Sequence, residues 1–136
     1  LIMDVGCHIL DRIDYLFGPL MNVHGKAENR NIAVEDFVAL TAEIGSSSAK
    51  DNPYAIGAKV ACTWDFASND DPCDEFIVTG TNGSIRMAGM SPDGPIHVND
   101  VHGNVLRTIT FETLEHTAQA MIQAVTNDLR GIGGTN

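Results

Sequence analysis

The chain has 136 residues, 43% of them apolar and 19% charged, which is ordinary globular composition and excludes wholesale disorder. Eight Lys plus Arg against 18 Asp plus Glu give a formal charge of −10. That balance disfavours nucleic acid and anionic membrane surfaces as partners. No apolar run reaches the ~18 residues of a membrane span.

Residues 2–17 carry a helical period. At ~100° per residue, Ile2, Met3, Val5, Gly6, Ile9, Leu10, Ile13, Leu16 and Phe17 fall on one broad arc. Asp4, His8, Asp11 and Tyr15 form a narrow stripe opposite. Gly18 followed by Pro19 stops the helix. Residues 22–30 are a weaker strand candidate. Residues 37–44 alternate, with Val38, Leu40, Ala42 and Ile44 on one face, and residues 59–66 place Val60, Cys62, Trp64 and Phe66 together. Core and an interface between copies suit Trp64 and Phe66 equally. Residues 46–53 and 67–74 read as exposed loops.

Residues 75–79 and 84–88 flank Gly80, Thr81, Asn82 and Gly83. Asn-Gly is a hairpin signal because both residues tolerate positive φ as the central pair of a turn. Residues 96–101 and 104–111 flank a second turn at His102 and Gly103. A closing helix is predicted over residues 115–130, with Thr113 as N-cap and Gly131 after its last turn. Its apolar stripe is Leu114, Ala118, Met121, Ile122, Val125 and Leu129. Helix, many strands, helix indicates an α+β fold: an open, largely antiparallel β-sheet with helices on one face.

The first helix holds the chemistry. Asp4 and His8 are spaced i, i+4 and are neighbours on the helix surface, with Asp11 on the same side. A carboxylate beside an imidazole sets its tautomer, and such a histidine can take a proton from a hydroxyl and return it. Spacing alone is weak evidence, since a solvated polar face opposite a core has the same pattern. A metal reading of Asp4, His8 and Asp11 lacks a second histidine cluster, and none is assigned. Cys7, Cys62 and Cys73 are an odd set without CxxC spacing, so a reducing compartment and structural thiols are the simpler account.

Asp4, Gly6, His8 and Asp11 form a segment that resembles the D-x-G-x-H-x-x-D motif of the Gfo/Idh/MocA oxidoreductases (glucose–fructose oxidoreductase, inositol dehydrogenase and relatives). Leu16, Phe17 and Gly18, the hairpin over residues 75–86 and the closing helix resemble the same family in order and spacing. The resemblance implies a C-terminal α+β domain that contributes substrate contacts and an oligomer interface through its open sheet face. It implies that a separate Rossmann domain binds NAD or NADP. It further implies His8 as acid/base on a substrate hydroxyl, Asp4 as its partner, and Asp11, Arg12 and Tyr15 at the substrate. The family's E-K-P lysine and its G-x-G-x-x-G loop are missing here. Residues 1–136 are therefore expected to be a single C-terminal domain from a longer cytoplasmic enzyme, inactive alone. The intact protein would be a homo-oligomer that transfers hydride to or from a sugar, polyol or related compound. A regulator or partner-binding module on the same fold and an NAD-dependent glycosidase remain as alternatives. The retained Asp4 and His8 lean against the former, and product analysis separates the latter.

Overall fold

The computed structural model describes residues 1–30, 33–46, 54–91, 94–112, 114–116 and 118–132. The chain divides into two compact units, Leu1–Pro72 and Cys73–Asn136. All described strand pairings are antiparallel and fall in two sheets, one per unit. With two helices, this is an α+β fold.

In the first unit a wide turn over Ile2–Gly6 leads into helix α1, Cys7–Phe17. Ile9 and Ile13, one turn apart on the same side, are buried. Met3, predicted on the apolar arc, is exposed, because the opening turn departs from the α-helical period. Gly18 ends α1 as predicted. Its φ of 110° suits glycine, and its N–H bonds to the Asp14 carbonyl.

Strands β1 (Leu20–Glu28), β2 (Phe37–Ile44) and β3 (Lys59–Asp65) form a sheet in the order β1-β2-β3. β1 spans 20–28 rather than 22–30, with an irregularity between Met21 and His24 and positive φ at Asn22. Val38, Leu40, Ala42 and Ile44 are all buried, as the alternation requires. Their register partners Trp64, Cys62 and Val60 share that face. Burial alternates strictly along β3 and ends at Asp65; Phe66, predicted to continue the inner face, lies past the strand end and is exposed. A Cβ on Gly6 would meet the Trp64 ring at 3.6 Å, so the helix entrance lies over the inner face.

In the second unit β4 (Phe76–Gly80), β5 (Gly83–Met87), β6 (Ile96–Asn99) and β7 (Val105–Ile109) follow one another as a meander. The first hairpin is present with its turn shifted by one residue. Gly80 pairs with Gly83, so Thr81 and Asn82 are the central pair, and Asn82 does not take positive φ. The second turn at His102 and Gly103 stands as predicted. Helix α2 is Gln119–Leu129, four residues shorter at its start than predicted. Ala118 occupies the N-cap without a side-chain bond, and Thr113 lies outside the described residues. Gly131 follows the helix end as predicted. The stripe Leu114, Ala118, Met121, Ile122, Val125 and Leu129 is exposed. Most of the loop predicted over residues 46–53 falls outside the described residues, whereas 67–74 is irregular and exposed as predicted.

Candidate active site

The amino end of the first unit gathers the candidate residues. Burial of Ile9 and Ile13 turns the opposite side of α1 outward. Asp4, His8, Asp11 and Tyr15 are all exposed there, Tyr15 at 86%, and Arg12 is half-buried at the border of that face. The structure thus places His8, Asp11, Arg12 and Tyr15 along α1 and Asp4 in the turn that precedes it. Among the described residues no hydrogen bond or ion pair joins the Asp4 carboxylate to the His8 imidazole, and both groups are open to solvent.

Asp4 lies in a turn that the sequence period did not reveal. The amides of Asp4, Val5 and Gly6 all point at the Leu1 carbonyl, at 3.2, 2.9 and 3.3 Å. The Cys7 amide bonds to the Ile2 carbonyl. Bonds of the i→i+5 kind wind more residues into a turn than an α-helix does, and such turns recur at functional sites. They rotate Asp4 away from the position an unbroken α-helical count assigns. The Cys7 thiol bonds back to its own turn, 3.3 Å from the Met3 carbonyl, which suits a structural thiol. Cys62 is partly buried, and burial pushes its thiol pKa up, which favours the protonated form.

Glu35 was not singled out in the sequence, yet it meets this turn. Its Oε1 accepts the Ile2 N–H at 3.1 Å and a bond from the Leu1 nitrogen at 2.8 Å. The Leu1 ammonium, the Glu35 amide and the Ile2 amide together hold the carboxyl down from 4.5 to about 2. Beside it, Asp36 is buried, 3% exposed. Its carboxylate accepts the Arg30 N–H at 2.8 Å and faces the Arg30 Nε at 3.6 Å. The Arg30 guanidinium also pairs with Asp65 and stacks 4.7 Å from the Phe37 ring centre. That pairing lowers the Asp65 pKa. A charged residue 33 positions from its target carries no local signal, which is why spacing could not find it.

The second unit has a separate shallow concavity of about 370 Å³. Val78, Ile85, Val98 and Leu106 line it with the Thr81–Asn82 turn. Asn99 at its edge is 5% exposed; its Nδ2 donates to Ser84 Oγ at 3.4 Å, and its Oδ1 has no hydrogen-bond partner among the described residues. None of the predicted site residues lies there.

The described residues hold no group of three or more His, Cys, Asp or Glu placed to bind a metal ion. The sequence between β7 and α2, residues 110–118, contains no glycine. Among the described residues no helix is long and apolar enough to cross a membrane.

Three comparisons bear on this geometry. No curated protein sequence matches the chain. The fold matches the crystal structure of a candidate oxidoreductase from Bacteroides fragilis NCTC 9343, with a TM-score of 0.59 and 16% identity. The match covers 95% of this chain and 40% of that one, so this chain spans less than half of its structural neighbour. At that identity the likeness concerns the fold. The model of the GFO/IDH/MocA C-terminal domain matches residues 1–86, which include the wide turn, α1, the whole three-stranded sheet and most of the first hairpin. This chain therefore belongs to the GFO/IDH/MocA C-terminal domain family, an oxidoreductase-type domain.

Proposed function

We propose that this chain is the substrate-side domain of an NAD(P)-dependent oxidoreductase acting on a hydroxyl carbon of a sugar, polyol or related compound. The observation that carries the reading is the exposed row of Asp4, His8, Asp11 and Tyr15 within the family-matched segment, opposite a buried apolar side. As a substrate hydroxyl is oxidised to a carbonyl, His8 takes its proton, and it returns the proton in the reverse direction. Asp4 orients the substrate or the imidazole. Asp11, Arg12 and Tyr15 are substrate contacts. The hydride carrier is assigned to a nucleotide-binding domain outside this chain, since the G-x-G-x-x-G loop is missing from its sequence. The chain's coverage of 40% of its structural neighbour leaves room for such a domain. This domain alone is then inactive.

In the same reading the intact protein is a cytoplasmic homo-oligomer, and the three free cysteines suit a reducing compartment. The outer face of the three-stranded sheet is the proposed contact between copies. It is open to solvent at His24, Thr41, Lys59, Ala61 and Thr63. Solution mass of the intact protein tests this part, and a strict monomer rejects it.

The test of the chemistry is His8→Ala in the intact protein. kcat should fall by ~10²–10⁴-fold, the range for a lost acid/base, with cofactor affinity unchanged. An unaltered kcat rejects His8 as the proton carrier. Released sugar without net cofactor reduction would instead indicate glycosidase chemistry.

A further inference from the structure

We infer that Glu35 is a positioning residue for the candidate site, holding in place the turn that carries Asp4. The inference rests on the acid/base reading above and extends it to a residue on another element. One peptide plane links Glu35 to the turn. The Ile2 N–H and the Leu1 carbonyl belong to the same planar unit. The N–H is bound by Glu35 Oε1 at 3.1 Å. The carbonyl collects the amides of Asp4, Val5 and Gly6. A rigid plane gripped on one edge presents its other edge in one direction, so the carboxylate aims the acceptor around which the wide turn is wound. Tilting that plane would pull the carbonyl away from three donors at once.

Helix starts leave N–H groups unsatisfied, and a Ser, Thr, Asp or Asn at the N-cap usually accepts one. Leu1 has no such side chain, and Glu35 does this work from 33 residues away. A negative charge there is also favourable at the positive end of a helix. The Ile2 N–H is present whatever precedes Leu1.

Glu35 is itself held firmly. Asp36, the next residue, donates its N–H to the Glu28 carbonyl at 3.0 Å and accepts the Phe66 N–H at 2.9 Å. Its buried carboxylate binds Arg30. Asp36 thereby joins the end of β1, the start of β2 and the end of β3, and Glu35 projects from that junction. The position of Asp4 relative to His8 is thus set by the sheet as well as by the helix.

Amide hydrogen exchange in this chain tests the inference first. Glu35→Ala should speed exchange at Asp4, Val5 and Gly6 by ~10-fold or more, the scale of a lost hydrogen bond to a charged group. Leu40 and Cys62, inside the sheet, should stay as protected as in wild type. Glu35→Gln keeps a carbonyl acceptor for the Ile2 N–H and should restore most of the protection. In the intact enzyme Glu35→Ala should lower kcat by ~10–100-fold, as displaced catalytic groups do. KM should hold nearly constant, and Glu35→Gln should recover most of the rate. Unchanged exchange at the three amides overturns the inference. So does equal acceleration throughout the sheet, which would make Glu35 a general stability residue. An unchanged kcat in both Glu35 variants, with exchange altered, also overturns the positioning role. His8→Ala distinguishes the two ideas: full activity there rejects the acid/base reading, while the exchange data still decide whether Glu35 sets the turn.

Discussion

Gly83 lies so close to Asn99 across the β5–β6 pair that a Cβ at position 83 would overlap the Asn99 carbonyl oxygen. It would also come within 3.1 Å of the Asn99 carbonyl carbon and 3.2 Å of that of Asp100. Backbone atoms cannot swing aside as side-chain ends do. Gly83 also has φ +144°. Gly83→Ala should therefore cost ~2–4 kcal/mol, combining backbone strain with steric overlap. Gly103 is the control. Its φ is +84° but nothing stands within 4 Å of a Cβ there, so Gly103→Ala should cost only ~1–2 kcal/mol. Denaturant unfolding of both variants checks the difference, and equal losses would show that the Asn99 overlap is not the cause.

In a polypeptide that begins at Leu1, the Glu35 carboxyl gives the turn before α1 an acid limit. Its folded pKa of about 2 lies below the ordinary 4.5, first because of its bond to the Leu1 ammonium. A lowered carboxyl pKa means that the contribution is full above 4.5 and is lost as pH falls towards 2. A carboxyl-selective NMR titration should place Glu35 near the bottom of that window, with the Ile2 amide shift following it. Acetylating the amino terminus removes the charge but keeps the Ile2 N–H. The midpoint should then rise and the loss begin at a higher pH. A midpoint that ignores acetylation would remove the ammonium as its main cause.

Asp36 is the most buried charged group described, at 3% exposure. Asp36→Ala deletes the acceptor for the Arg30 N–H and the carboxylate facing Arg30 Nε. Unfolding free energy should fall by ~2–3 kcal/mol, the scale for losing a bond to a charged group and leaving its donor unmatched. Asp36→Asn should lose less, since its amide oxygen can still accept the backbone bond. Thermal unfolding of the pair checks the order, and a neutral Asp36→Ala would contradict the junction described for β1, β2 and β3.

The α2 stripe yields an expectation of the opposite sign. Ile122 and Val125 are 58% and 54% exposed. Replacing both with Glu should change the stability of this chain by ~0.5 kcal/mol or less, as for surface sites in general. A sharp fall in Tm, or a drop in solution mass, would show that another surface covers the stripe.

Much of this molecule was legible from local pattern. The two-residue period of Val38, Leu40, Ala42 and Ile44 fixes which face of β2 is buried, because successive side chains must point to opposite sides of a strand. The helical period sorts Ile9 and Ile13 inward and His8, Asp11 and Tyr15 outward. Gly18 announces the helix end, and the two hairpins follow from glycine between β-rich runs. The α2 stripe shows the limit of such patterns: amphipathic spacing states that a face is apolar, not what covers it.

Tertiary structure decided the rest, for reasons that local pattern cannot contain. The wide turn at Ile2–Gly6 exists where Glu35 grips the Leu1–Ile2 peptide, an interaction between residues 33 apart. Arg30, Asp36 and Asp65 become one charge cluster only when three strand ends meet. The hairpin turn falls on Thr81 and Asn82, which leaves Gly83 in the strand, where its missing Cβ admits the Asn99 backbone. Periodicity records which way a side chain faces along its own element. Which distant group it then meets depends on how the elements pack, and that is where the position of Asp4 relative to His8 is settled.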